Sequence, residues 1–334
     1  MKRAVFAGCL AALILLTAPA LLLHPQAEKT GSEASQSTAV PAATETSAKL
    51  DEPAGYDETH TITVLCAGKP TVMTLADYLA GVVAAEMPAS FDDAALEAQA
   101  IASRTFALRL KEKPKHKDAD VCDDSACCQA YQDSAAAAAK LGDGAAVLLD
   151  KVRRVVDATD GEVLTYRGAL IEATYFSCSG GATESAAAVW GSDVPYLQSV
   201  SSPGEEKCSR YSDETDVPLE KFRSAVLAAN PSADLSENPS GWFGAEQKTQ
   251  GGGVAALTIG GVSFRGTELR TMFGLRSTRF ALSIGPESIR FTTYGYGHRV
   301  GMSQYGAEAM AKQGSDAKTI LLHYYTGAEL TKAQ

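Results

Sequence analysis

The sequence predicts an α+β fold, with N-terminal helices packed on a small antiparallel meander in a single compact region that carries an irregular insertion. Three observations carry that expectation. Two apolar stretches with helical period follow each other between about residues 74 and 110, and a stretch with period-two alternation begins at Arg153. Helices and strands gather in separate blocks, whereas a doubly wound parallel sheet would alternate them.

The chain has 334 residues and 45% hydrophobic content, enough to bury a core larger than one minimal domain. Met1, Lys2 and Arg3 precede an apolar run from Ala4 to Leu23. Residues 1–23 therefore read as a membrane anchor or signal segment. Their length favours an uncleaved anchor, and Ala18-Pro19-Ala20 keeps cleavage open. Cys9 follows too little apolar sequence to be a lipoprotein acceptor. With Lys2 and Arg3 inside, everything after about residue 24 is extracytoplasmic, on a cell membrane with a single N-terminal anchor. Residues 24–58 are Ala, Ser, Thr, Pro and Glu with almost no bulky apolar side chains, so they read as a flexible tether. Residues 59–334 are the folded domain, with the insertion at about 205–260.

Within that domain, Thr61 to Leu65 predicts a short strand. Thr74 is the N-cap of a first helix with Asp77 in its first turn, running through Leu79, Val82 and Val83 to Glu86, where Pro88 disfavours helix at Met87 and stops it. Ser90 is the expected N-cap of a second helix from Ala94 to about Leu110. From Arg153, "RVVDATDGEVLTYRGALIEATYFSCSGG" reads as an antiparallel meander with turns at Asp160-Gly161 and Gly168. Residues 205–250 are polar and irregular, with one helix from Pro218 to Ala229. "GGVSFRGTELRTMFGL" reads as a hairpin edge and short helix, and residues 303–313 and 317–325 as closing helices.

Glu86 is the residue on which function turns. Steps of three and four back from it meet Val83, Val82 and Leu79, so its carboxyl stands at the edge of an apolar stripe. Burial disfavours the charged form and suits a general acid, although a glutamate at a helix end is more often simply solvated. The net charge of −10, with no Lys/Arg cluster, argues against nucleic acid.

The motifs "AAEMP", "LEAQAIASRTFAL", "FSCSGGATES", "VPYLQSVSSPGEE", "FGLRSTRF", "GYGHRVGMSQYGAEAMA" and "ILLHYYTG" occur in that order. In them the chain resembles the SpoIID/LytB family from about residue 60 to the end. The resemblance implies a membrane-anchored peptidoglycan lytic transglycosylase of endospore engulfment, acting on glycan strands stripped of stem peptides. It also implies a sporulation amidase and a membrane anchor protein as partners. Some members are described as amidase modifiers, which leaves a non-catalytic glycan-binding module as the alternative. On the family pattern Glu86 is catalytic. Arg104 is the functionally important arginine of the second helix, expected to fix the Glu86 region or a substrate group, with a surface pair to Glu97 or Glu112 as the bland reading. His298, Ser303, Gln304 and Tyr305 sit in the Gly-rich motif and suit sugar hydroxyls. At Arg299 the family usually has a small residue.

Seven cysteines in an exported chain invite disulfides, yet the odd count and the crowding of Cys122, Cys127 and Cys128 argue for another use. His116 with these three could close around a tetrahedral, structural zinc, with a loop disulfide or free thiols as rivals. Clostridial relatives resemble "HxDADVCxDxxHCQAY" here and bind zinc through two His and two Cys. In this chain Cys127 takes the second histidine's place, so the expected set is Cys3His. A metal hydrolase finds no HExxH. With these removed, a Cys178–Cys208 disulfide is expected, with Cys66 buried and free.

Overall fold

The computed structural model describes residues 54–236 and 238–334. The apolar run from Ala4 to Leu23, Cys9 and most of the expected tether lie outside the described residues. Among the described residues no helix is long and apolar enough to cross a membrane. Helices and mainly antiparallel sheets share the chain, so the α+β expectation holds.

Two helices position the site. The first, Leu75–Glu86, is capped by Thr74, whose hydroxyl accepts from the Asp77 amide at 3.1 Å. It ends where Met87 turns extended (φ −120°, ψ 147°), as the following proline requires. Leu75, Tyr78, Leu79, Val82 and Val83 are buried. At Gly81 a Cβ would stand 2.4 Å from the Tyr131 ring and 2.6 Å from the Gln132 carbonyl oxygen. The glycine thus lets the 131–132 segment close against this helix. The second helix, Asp93–Glu112, is capped by Asp92, which accepts from the Ala94 amide at 3.1 Å, two residues later than the Ser90 expected. It runs through the main core, and its small buried Ala95, Ala98, Ala100 and Ala102 let four other helices pack against it.

Strand Thr61–Cys66 forms as expected. It pairs antiparallel with Lys69–Thr74 and parallel with the short strand Val121–Cys122. The meander is shorter than its sequence suggested, because Arg153 to Ala158 finishes a helix, Ala145–Ala158. Val152, Val155 and Val156 are buried at helical spacing there. The period-two alternation suggests a strand, and the i, i+3, i+4 pattern prevails. Glu162–Tyr166 then turns through Arg167 and Gly168 (φ 53° and 78°), a left-handed pair suited to a tight hairpin, onto Ala169–Leu170. Its other neighbour is the C-terminal strand Glu329–Lys332. Tyr175–Phe176 leaves this sheet and pairs parallel with Met302–Ser303, which brings the two Gly-rich motifs side by side.

The expected insertion is ordered and longer than about 205–260. The predicted helix is present as Leu219–Ala229. Around it, residues 212–294 form two three-stranded antiparallel sheets and a second hydrophobic core. Phe222 stacks on Phe273 at 5.0 Å and on Trp242 at 5.9 Å within that core. Strand Ser212–Pro218 escapes a pattern reading because Val217 is its one buried residue. The hairpin edge Val262–Arg265, the helix Gly266–Phe273 and the closing helices Gln304–Lys312 and Ala317–Tyr324 lie where expected.

Candidate active site and metal centre

Glu86 is the last residue of its helix, and its half-buried carboxylate stands where two hollows meet. One, of about 660 Å³, is lined by Gln129, Glu172, Tyr175, Trp190, Tyr296 and His298. The other, of about 470 Å³, is lined by Lys140, Ser209 and Tyr305. Glu86, Ser177, Arg210 and Gln304 line both.

The carboxylate accepts from the Ala130 amide at 2.8 Å and from the Gln304 side-chain amide at 3.4 Å. The Tyr175 hydroxyl is also within hydrogen-bonding reach. Burial raises its pKa above the ordinary 4.5, and these donors together with the more distant Lys140 oppose the rise without cancelling it. No cation forms an ion pair with Glu86 among the described residues. A carboxyl that is desolvated and met only by neutral donors keeps its proton to higher pH than a solvated one, which is the condition for a general acid.

The donors are themselves fixed. The Tyr175 hydroxyl also stands 2.8 Å from the Gln129 side-chain oxygen, so its single proton is shared between that oxygen and Glu86, and Gln129 donates to the Tyr78 hydroxyl at 3.2 Å in the core. Gln304 reaches Gln99 at 3.4 Å, and Gln99 donates to Ser103 at 2.9 Å. His298 accepts from the Val300 amide through Nδ1 at 3.1 Å, and its ring bonds to the Tyr175 backbone. Burial first, and then Arg270, lowers its pKa to about 4, so it is a neutral wall. Its ring supports Trp190 at 5.4 Å, and Trp190 is 43% exposed, leaving an aromatic face open in the groove.

Of the residues expected to touch substrate, His298, Gln304 and Tyr305 line the hollows, and two others do not. Ser303 is fully buried: it caps the Gln304–Lys312 helix, accepting from the Gly306 amide at 3.2 Å. A sugar cannot reach it. Arg104 is also fully buried, and neither Glu97 nor Glu112 pairs with it. Its fork grips Asp57, with Nε to Oδ1 at 2.9 Å, and it donates to the Glu162 carbonyl at 3.1 Å. Asp57 belongs to the stretch assigned to the tether, but there the chain forms the helix Tyr56–Thr59. The Asp160 carboxylate accepts from the Tyr56 and Asp57 amides at 2.8 and 2.7 Å. The folded unit therefore begins before residue 59, and Arg104 anchors its start.

Arg299, the position at which the family usually has a small residue, adopts φ +67° and is fully buried. Its guanidinium meets Glu184 at 3.1 Å and donates to the carbonyls of Ser179, Ala182 and Gly251. A left-handed backbone is held here by side-chain bonds where glycine would need none.

His116, Cys122, Cys127 and Cys128 converge so that their donor atoms all lie within 4.8 Å of one another. His116 Nε2 is 3.5 Å from Cys128 Sγ and 3.6 Å from Cys127 Sγ, and the two sulfurs are 3.9 Å apart. Donors around a tetrahedral zinc with Zn–S of about 2.3 Å stand roughly 3.8 Å apart, so the set fits that ion. Locally, Asp124 shapes the loop: its carbonyl accepts from the Cys127 and Cys128 amides and its carboxylate from Ala126. Two residues beyond Cys128 stands the Ala130 amide that holds Glu86.

Cys178 and Cys208 are free thiols in this structure, both buried and in side-chain contact, so the expected bridge is not formed. Cys178 donates to Glu205 at 3.2 Å, and Cys208 Sγ accepts from the Arg210 amide at 3.3 Å, bonds that give each sulfur a partner. Cys66 is free but only half-buried. Tyr175, Gln129, Trp190 and Arg210 were not singled out from the sequence. Gln129-Ala130 directly follow the cysteine cluster, and Trp190 is one of two tryptophans in the chain, which were the available signals.

The family model SpoIID, described as Stage II sporulation protein, matches residues 68–166. Stage II sporulation protein D of Bacillus amyloliquefaciens is 35% identical over 339 aligned residues, covering 100% of this chain and 97% of that protein. Its namesake in Bacillus subtilis (strain 168) is 37% identical, covering 78% of this chain and 75% of that protein. The Amidase enhancer of Bacillus subtilis (strain 168) is 30% identical, covering 76% of this chain and 40% of that larger protein. With the family model matching residues 68–166 and relatives 35% and 37% identical over most of its length, the chain belongs to the SpoIID family of stage II sporulation proteins.

Proposed function

We propose that this protein is a sporulation-associated peptidoglycan lytic transglycosylase in which Glu86 is the single catalytic acid/base. The observation that carries the reading is the desolvated carboxyl of Glu86, met only by neutral donors at the junction of two hollows. Glu86 protonates the glycosidic oxygen as the bond to the muramic acid anomeric carbon breaks. The same carboxylate then takes the proton of the muramic C6 hydroxyl as that oxygen bonds to the anomeric carbon. The acid is regenerated and a 1,6-anhydro end is formed. The internal nucleophile has a high effective molarity, so no second carboxylate has to position water. Trp190 offers a sugar-stacking face, and Gln304 and Tyr175 hold the acid in place.

A structural zinc on His116, Cys122, Cys127 and Cys128 is part of the reading. Held by these four side chains, the ion would have a structural role, fixing the loop that presents the Ala130 amide. An N-terminal anchor at residues 1–23 would put the groove outside the membrane, and an amidase would supply peptide-free strands. A second reading, favoured by the relative named Amidase enhancer, is a module that grips glycan and activates an amidase without cutting.

Incubation with peptide-free glycan, with product masses recorded, separates these readings. Anhydro-ended fragments from the native chain and none from Glu86→Gln support transglycosylation. Reducing ends indicate ordinary hydrolysis, and binding without cleavage favours the module.

A further inference from the structure

The groove carries a charge pattern that its acid does not explain. The chain has a net charge of −10, yet three exposed cations line the two hollows that meet at Glu86. Lys115 lines one, Lys140 the other and Arg210 both. Among the described residues none of the three forms an ion pair. Lys115 donates to the Cys127 carbonyl at 2.8 Å and Glu172 lines its hollow, which leaves Arg210 and Lys140 as the cations best placed to meet an anionic ligand beside Glu86.

Arg210 is also held in place. Its guanidinium lies 4.9 Å from the centre of the Tyr296 ring. Arg276 approaches the same ring at 5.6 Å, but its charge is met by Asp213 at 2.9 Å. The Arg210 backbone is tied to Cys208 at 3.3 Å. Stacking orients the planar fork and leaves its charge uncommitted, the arrangement that suits two-point recognition of a carboxylate.

We propose that Arg210, assisted by Lys140, binds the free lactyl carboxylate of N-acetylmuramic acid and so selects glycan from which the stem peptide has been removed. This rests on the glycan reading of the groove and deepens it. While a stem peptide is attached, the lactyl carboxyl is an uncharged amide. Amide hydrolysis turns it into a carboxylate on every second sugar. Selection comes from the charge that hydrolysis creates as well as from removal of the peptide's bulk.

The test uses the full-length chain carrying Glu86→Gln, which prevents turnover, and measures dissociation constants by calorimetry. Three probes of equal length are compared: peptide-free glycan, the same glycan with its carboxyls converted to methyl amides, and a chitooligosaccharide. The free-acid glycan is expected to bind about tenfold tighter than its methyl amide, the factor supplied by one charge-assisted hydrogen bond of ordinary strength. Adding Arg210→Ala should bring that ratio close to one, and Arg210→Lys should restore part of it. Arg210 is exposed, so its loss should leave the melting temperature unchanged, and the ratio is a readout that a merely structural role would not move. Equal binding of all three probes, or a ratio that survives Arg210→Ala, overturns the carboxylate subsite while leaving the glycan groove intact. Failure of every probe to bind overturns both.

Discussion

Glu86 and Asp57 are both carboxylates withdrawn from water, and they differ in what meets them. Asp57 is closed on the Arg104 fork in the core. Glu184, with Arg299 at 3.1 Å, repeats that arrangement. Glu86 is less buried, faces a groove and among the described residues is hydrogen-bonded only by amides and a hydroxyl, with Lys140 acting from farther away. A carboxylate matched by a buried guanidinium serves the fold, because neither charge can leave without exposing the other to a low-dielectric interior. A desolvated carboxylate without a cation has a perturbed proton affinity, and that is a property chemistry can use. The position of a cation thus separates scaffold from site better than burial does. Arg104 lies on the scaffold side although its motif had suggested the site.

The sharpest test exchanges the roles. Glu86→Gln should lower glycan cleavage by on the order of 10³-fold, the usual scale of a lost general acid, while unfolding midpoints in urea stay near the native value. Cleavage that survives this change would break the contrast, because the carboxyl would then be no more chemical than Asp57. Asp57→Ala should do the reverse. It strands a buried arginine and is expected to destabilise the fold by about 3–5 kcal/mol in chemical denaturation, with cleavage per folded molecule retained. A loss of turnover in the folded fraction would return Arg104 to the site.

Cys122→Ser should remove one of the four donors of the proposed zinc set and free the loop that presents the Ala130 amide. The expected outcome is loss of stoichiometric zinc by metal analysis and a lowered melting temperature. A variant that keeps both would remove the metal from the account of Glu86.

The smallest effect is one of pH. Because Glu86 must be protonated and its pKa is raised above 4.5, kcat/KM should hold at low pH and fall as pH rises through that raised value. The same shift means that the native state binds more proton than the unfolded chain above pH 4.5. Stability should therefore decline slightly as pH rises through the interval, and Glu86→Gln should flatten that decline. A declining limb of kcat/KM that persists unchanged in the residual activity of Glu86→Gln would assign it to another group.

Much of the helical frame was legible because its signals are local. Thr74 and Pro88 bound the Glu86 helix through a hydroxyl and a steric clash that involve only near neighbours. The convergence of the His/Cys donors was equally legible, since four donors within thirteen residues need little tertiary help to converge. The meander and the insertion were less so. Val152, Val155 and Val156 have β-branched side chains whose helical state is decided by the core they enter. The strand Ser212–Pro218 is polar on nearly every residue and is defined by its partner Ser288–Tyr294.

By itself the sequence determined the α+β class, the placement of a carboxyl at a helix end, the cysteine loop and the family resemblance, all carried by contiguous residues. Only the tertiary structure decided which charges meet. It sent Arg104 to Asp57, forty-seven positions away, put Ser303 under a helix, and left Arg210 stacked on Tyr296 with its charge free. Ion pairing depends on a few ångströms between residues distant in the chain, and no local pattern encodes that distance.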